Sequence, residues 1–317
     1  MSSAGQWNAS ERRDRFEEML VSSNADALLT PKNAGMSILI PAWNEENAIE
    51  ETITHILNAI QTSGAPFEII VIDDGSKDQT AFRAESMGVK VVQHRHNRGY
   101  GAALKTGLGF AKYPWIVIAD ADGTYPLEDI PRLMEECDHH DMVVGARTGE
   151  DVHVPIFRRF AKYLLRVLAY MLLGHRIPDL NSGMRIFRRS LAHRFMPLFP
   201  DGFSFTSTIT IASLANGYRV KYLPINYKRR IGKSSIRPLR DFLGFSLLVV
   251  RLTACFKPLN VFLPLTGILF SIGITKAIID ITRENHIGVG AAVVLLASVQ
   301  IFCFAILADL MTKRTTL

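Results

Sequence analysis

Five short apolar runs rich in Ile and Val, Met36 to Ile40, Phe67 to Ile72, Lys90 to Gln93, Trp115 to Ala119 and Met142 to Val144, punctuate the first half of the chain. Between them lie Glu46 to Thr62, Gln79 to Met87, Gly101 to Ala111 and Leu127 to Cys137, whose apolar residues recur at helical spacing. Strand-like runs alternating with helical segments predict a doubly wound, mostly parallel α/β sheet. The pattern then changes character. Leu259 to Ile281 is apolar except for Lys276 and Asp280, and Ile287 to Ala308 carries no charge. Each run is long enough to cross ~30 Å of hydrocarbon as a helix, and Lys276 is expected to snorkel toward the headgroups. The link Thr282 to His286 leaves room only for a tight turn, so the two runs predict a transmembrane hairpin. Two further segments read as amphipathic interfacial helices: Phe242 to Phe256, apolar but too short to span, and Ile156 to Leu173, which mixes Arg158, Arg159, Lys162 and Arg166 with apolar residues.

Composition turns this pattern into a domain plan. With 317 residues, 48% of them hydrophobic, the chain exceeds one ordinary domain and predicts a main domain with an appendage. The expected limits are an N-terminal extension over 1–35, the α/β domain over 36–236, a juxtamembrane segment over 237–257 and the hairpin over 258–317. The formal net charge is +6, but the cations are concentrated: Lys228, Arg229, Arg230, Lys233, Arg237, Arg240, Arg251 and Lys257 face a single acid, Asp241. Such a stretch suits a phosphate-rich partner, and its apolar neighbours favour lipid over nucleic acid. Lys257 before the first span and Lys313-Arg314 after the second predict cytoplasmic ends for the hairpin. Cys137, Cys255 and Cys303 are scattered, which excludes a C-x-x-C zinc or disulfide pattern. Residues 1–30 show no long apolar stretch, hence no expected signal peptide.

The candidate chemistry sits at the strand ends. Asp73-Asp74-Gly75-Ser76 follows the second run and Asp120-Ala121-Asp122 the fourth. In an open α/β sheet ligands bind outside the carboxyl ends of the strands, so both clusters project toward one crevice. Carboxylates gathered there suit a hard divalent cation shared with a diphosphate, and a nucleotide ribose or base. Pro41-Ala42-Trp43-Asn44-Glu45-Glu46 follows the first run, where proline ends strand pairing and the aromatic can flank a base. Asn97 to Ala103 opens a helix with glycines that let a ligand approach, and Gly145-Ala146-Arg147 offers a guanidinium for phosphate.

As an ordered set these motifs, with Asn181-Ser182-Gly183-Met184-Arg185 and Arg229-Arg230-Ile231-Gly232-Lys233-Ser234-Ser235, resemble family 2 glycosyltransferases of the GT-A fold, and more narrowly the polyprenyl-phosphate glycosyltransferases that include dolichyl-phosphate mannose synthases. The resemblance implies inverting transfer of one hexose-type sugar from a nucleotide diphosphate sugar to a polyprenyl phosphate, with Mg²⁺ or Mn²⁺ as cofactor. It places a multi-pass enzyme in the cytoplasmic membrane with its catalytic domain on the cytoplasmic side, no nucleic-acid partner, and a hairpin through which copies can assemble. By matched motif, Pro41, Trp43, Asn44, Glu45 and Asp73 or Asp74 hold the nucleoside. Asp120 and Asp122 bind the metal, and Ala121, Thr124, Lys233 and Ser235 line the donor. Arg147, Ser182 and Arg185 hold the acceptor phosphate, and Arg229 serves donor or acceptor. Asp122 and Arg147 are the residues closest to the chemistry. Relatives often carry Tyr at Trp43, Gln at Thr124 and Lys at Ser235, so a third metal contact is missing and Lys233 is the available cation. Two other readings stand beside this one. A processive polysaccharide synthase shares the core, but its Gln-x-x-Arg-Trp motif is absent because the last tryptophan is Trp115. A membrane-anchored nucleotide-sugar binding subunit without activity is the other.

Overall fold

The computed structural model describes residues 30–61, 63–148, 167–202, 204–227 and 238–315. Two units make up the chain: Met1–Asp151 with Asn181–Thr206 and Arg219–Arg230, and Val152–Leu180 with Ser207–Tyr218 and Ile231–Leu317.

The first unit is built on β1 (Met36–Ala42), every residue of which is buried. A strand covered on both faces needs a near-continuous apolar run, and β1 supplies one broken only by Ser37, whose hydroxyl donates to Glu68 Oε1. It lies parallel to β2 (Phe67–Asp73) on one side and to β4 (Trp115–Ile118) on the other, with β3 (Lys90–Gln93) beyond β2. The full order is β3-β2-β1-β4-β6-β5-β7, where β5 is Met142–Ala146, β6 Arg185–Arg188 and β7 Val220–Pro224. β6 runs antiparallel to both β4 and β5, and the remaining pairs are parallel. The sheet is therefore mostly parallel, as the pattern predicts, but it gains two strands that short, charge-interrupted sequences do not advertise. Helix α1 (Ile49–Gln61) buries Ile49, Thr52, Ile53, Ile56 and Ile60, one stripe at helical spacing. Further helices are α2 (Thr80–Ser86), α3 (Tyr100–Phe110), α4 (Ile130–Glu135), α5 (Arg189–Phe195) and α6 (Phe205–Ala215).

Pro41 does end pairing, but on one side only. The Leu39 carbonyl accepts from Ala119 N–H (3.1 Å), whereas the Ala42 carbonyl accepts from Asp74 N–H (2.8 Å). Backbone groups alternate sides along a strand, so position 41 faces β4, where the next rung would need the N–H that proline lacks. The β1–β4 ladder stops at Leu39–Ile118 while the β1–β2 ladder continues to Ala42–Asp73. That point lies where strand order reverses, the place at which open α/β sheets bind ligands.

The second unit contains α7 (Pro238–Phe256), α8 (Pro258–Glu284) and α9 (Val289–Thr315). At 27 residues each, α8 and α9 extend about 40 Å at 1.5 Å per residue, enough to cross a bilayer. Most of their apolar side chains are exposed, which distinguishes them from core helices. Asn285, in the left-handed region at φ 57°, closes α8 by donating to the Ile281 carbonyl (3.0 Å). Lys276 does not simply snorkel: its Nζ donates to Asp280 Oδ1 at 3.1 Å, and Gly288 N–H donates to Asp280 Oδ2 at 3.2 Å. A carboxylate in an apolar hairpin is costly without such partners. The helices approach closely at Gly273, where a Cβ would lie 2.8 Å from the Leu295 side chain. Only 167–173 of the predicted 156–173 helix lies within the described residues, and it is helical.

Candidate active site

The 120–124 loop leaves β4 where its ladder with β1 ends, and three neighbours and one internal contact hold it. Thr52, the polar residue on the apolar stripe of α1, donates its hydroxyl to the Ala121 carbonyl at 3.1 Å. Thr124 donates both its N–H (3.2 Å) and its hydroxyl (2.6 Å) to Asp122 Oδ1. Tyr100, the first residue of α3, donates its hydroxyl to Asp120 Oδ1 at 2.9 Å. Gly183 packs so closely on the Asp120 carboxylate that a Cβ there would overlap it, and its N–H donates to Tyr125 Oη at 2.7 Å.

These neighbours set the electrostatics. Burial, and then the charge of Asp122, push the Asp120 carboxyl up to about 6, against the Tyr100 hydrogen bond and the guanidinium groups of Arg147 and Arg185. Burial raises the Tyr100 and Tyr125 hydroxyls well above the ordinary tyrosine value, and the Asp120 charge adds to the effect. Two carboxylates one residue apart, repelling each other in a desolvated corner, form a donor set that a divalent cation would stabilise. Among the described residues no three His, Cys, Asp or Glu side chains gather around one point. The set fits a magnesium- or manganese-type ion that takes its remaining oxygens from a diphosphate and water. The Thr124 hydroxyl, at the position where relatives often carry Gln, is used to orient Asp122.

Arg147 follows β5 and is half-buried, with its guanidinium carbon 5.3 Å from the centroid of the Tyr227 ring. Tyr227 in turn meets Tyr125 edge-on, centroids 5.0 Å apart. Arg147, Asp120, Asp122 and Ala121 are thus brought together. Ser182 and Arg185, expected at the acceptor phosphate, stand in the wall of the same site, where the Arg185 charge acts on Asp120. Both are fully buried: Ser182 donates to the Gly145 carbonyl, and Arg185 donates to the Thr206 carbonyl (2.9 Å) and to the Ser182 carbonyl. Main-chain carbonyls thus take the Ser182 hydroxyl and both Arg185 Nη groups.

The residues expected to hold the nucleoside lie on the loops after β1 and β2. Pro41 is buried, Trp43 is 53% exposed, and Asn44 holds φ 55°. Asn44 clasps the second loop, its N–H donating to Ser76 Oγ (2.9 Å) and its side-chain carbonyl accepting from Lys77 N–H (2.9 Å). Glu45 N–H donates to Thr80 Oγ1 at 2.9 Å. Asp73 Oδ1 accepts from Ser76 N–H at 3.0 Å. Asp74 turns away toward the 94–99 segment. The glycines at 99–101 approach the protein's own chain: Gly101 and Ala102 N–H donate to the Gly202 (3.1 Å) and Asp201 (3.0 Å) carbonyls. Arg229, Lys233 and Ser235 lie outside the described residues.

Residues 37–195, half of the chain, match the family model described as glycosyl transferase family 2. The chain belongs to that family. Its residues 257–313 match a second model, the GtrB C-terminal hairpin. Similar proteins include an uncharacterised protein of Methanocaldococcus jannaschii, 31% identical over 59% of this chain and 79% of its own length. A dolichyl-phosphate hexose transferase of Haloferax volcanii is 29% identical over 64% of this chain and 87% of its own. An undecaprenyl-phosphate 4-deoxy-4-formamido-L-arabinose transferase of Edwardsiella ictaluri is 33% identical over 49% of this chain, and the chain spans only 50% of that relative. The family 2 unit also shares its fold with glucosyl-3-phosphoglycerate synthase of Mycobacterium tuberculosis, crystallised with Mn²⁺, UDP and phosphoglyceric acid (TM-score 0.55, 23% identity, 73% of this chain and 81% of that one).

Tyr100, Gly183, Thr52 and Tyr125 were not among the expected site residues. Tyr100 and Gly183 lie inside motifs singled out above, and Thr52 is betrayed only by being polar on an apolar helix face.

Proposed function

We propose that this family 2 enzyme transfers one hexose-type sugar from a nucleotide diphosphate sugar to an undecaprenyl or dolichyl phosphate, inverting the anomeric carbon, at the cytoplasmic face of the membrane. The observation that carries the reading is the braced Asp120–Asp122 pair at the end of β4 in a chain whose tail matches the GtrB hairpin. The names of the relatives from Haloferax and Edwardsiella, both transferases acting on polyprenyl phosphates, support a lipid phosphate as acceptor.

A phosphate monoester loses its second proton near pH ~6, so the acceptor oxygen is already a nucleophile at neutral pH and no side chain must remove a proton. The bond formed joins that oxygen to the anomeric carbon, and the bond broken releases the nucleoside diphosphate. The protein's task is alignment and charge compensation. Trp43 flanks the base, Asp73 and Glu45 hold the nucleoside, and Arg147, steadied by Tyr227, meets the acceptor phosphate. Arg229, Lys233 and Ser235 serve the diphosphate and acceptor. Asp120 and Asp122 would hold Mg²⁺ or Mn²⁺, which when bound would supply Lewis-acid stabilisation of the departing diphosphate.

The test is a screen of radiolabelled UDP- and GDP-sugars with undecaprenyl phosphate and Mg²⁺ or Mn²⁺, read by lipid extraction. One donor should place a single sugar on the lipid, and Asp122→Asn should lower that transfer by about a thousandfold or more while leaving folding and membrane association intact. Near wild-type transfer by Asp122→Asn refutes the assignment, a polymeric product favours a synthase, and donor binding without transfer favours a non-catalytic subunit.

A further inference from the structure

Beside the nucleotide end of the crevice lies a buried cluster for which the reaction above has no use. His94, just after β3, has both ring nitrogens engaged: Nδ1 is 2.7 Å from Asp74 Oδ1 and Nε2 is 2.9 Å from Thr106 Oγ1. Both the imidazole and the carboxylate are nearly inaccessible. An ionised carboxylate only accepts, so Nδ1 carries the shared proton. Asp74 also accepts Arg98 N–H at 2.9 Å and Gly99 N–H at 2.8 Å. With three donors on its two oxygens, this buried carboxylate is committed to the protein's own backbone.

What the cluster grips is α3, at two points. Asp74 holds the backbone at 98–99, immediately before the helix, and His94 reaches Thr106 within it. Gly99 has φ +102° and its Cα faces the Asp201 carbonyl too closely for any side chain, so the entry to the helix has little freedom. The residue that follows is Tyr100, whose hydroxyl bonds Asp120. Two attachments on one rigid element define its direction as well as its position, and a side chain at its first turn inherits both.

We infer that His94 is a positioning residue for the divalent-cation site, acting through Asp74 and α3 on Tyr100, and through Tyr100 on the Asp120 carboxylate. This rests on the reading of Asp120 and Asp122 as the cation ligands. Groups that orient a metal ligand through a hydrogen bond change metal affinity by about 10–100-fold when removed.

The experiment is Mn²⁺ titration of the full-length protein in detergent, followed by electron paramagnetic resonance, with thermal melting as the check on folding. His94→Leu should raise the Kd for Mn²⁺ by about tenfold or more, Tyr100→Phe should do the same, and the double variant should be no weaker than Tyr100→Phe alone. His94→Asn, which keeps a donor for Asp74, should recover most of the affinity. If His94→Leu does not fold, Thr106→Val takes its place in the same cycle. A folded variant that keeps the wild-type Kd, or penalties that add to that of Tyr100→Phe, overturns the inference. Asp122→Asn separates the two claims: wild-type Mn²⁺ affinity in that variant removes the cation site itself, whereas loss of binding there with an unaffected His94→Leu removes only the role of His94.

Discussion

Gly183 and the Asp120 carboxylate compete for one space, and the glycine yields it. A methyl group at 183 would overlap both carboxylate oxygens, so Gly183→Ala must displace either the 181–185 backbone or Asp120. Overpacking of this kind costs about 1–3 kcal/mol of stability. Because the displaced group is the proposed metal ligand, sugar transfer should fall by about a hundredfold or more while the melting temperature drops by only several degrees. Assay and calorimetry on one preparation decide this, and a fall in stability with unchanged turnover would show that Asp120 tolerates the shift. Asp120 and Asp122 themselves are legible as a pair in the sequence, since carboxylates at i and i+2 after an apolar run have few other uses. Ser182 and Arg185 show the opposite. Their types suit a phosphate, yet which of their donors a ligand can reach depends on the carbonyls behind them: β5 supplies one to Ser182, and α6 and Ser182 itself supply those of Arg185.

At the scale of elements, proline at 41 and close helix packing at 273 do comparable work: each controls where two segments touch. Removing an N–H at position 41 ends one ladder and spares the other, which is why β1 parts from β4 before it parts from β2. In the hairpin, absence of a side chain at Gly273 lets α8 approach Leu295 of α9, and Ala277 and Ala291 are buried small residues on the same pair of helices. Small residues are what permit helices to pack closely in lipid, where apolar burial gives no drive of its own. Gly273→Leu should therefore lower the thermal stability of the detergent-solubilised protein by about 1–3 kcal/mol, whereas Gly267→Leu, at a site with open space around it, should leave it unchanged. Equal effects at the two glycines would mean that composition rather than contact governs the hairpin. The strands legible in the sequence are β1 to β5, each with at least two adjacent Ile, Leu or Val residues and alternating with helical segments. β6 and β7 are not legible there, because Arg185 and Arg188 bracket only two apolar residues and Lys221 interrupts β7, and pairing partners distant in the chain make these segments strands.

For the molecule as a whole, the hairpin and the catalytic unit are joined in one chain, and a lipid acceptor is confined to the membrane. Tethering raises the effective concentration of its phosphate at the site. Deleting 257–317 should therefore reduce transfer to undecaprenyl phosphate by about tenfold or more, with much less effect on a short soluble prenyl phosphate. Equal losses with both acceptors would give the hairpin a role in folding alone. The membrane spans, the mostly parallel sheet and the two acidic clusters were readable from the order of residues, because each depends on local periodicity or on chemistry within a few positions. Which groups face the crevice is a different kind of fact. That Asp74 serves α3 through His94, that Arg185 is buried, and that Tyr100 and Gly183 frame Asp120 all depend on contacts across 20 to more than 60 positions, formed only when the sheet brings those segments together.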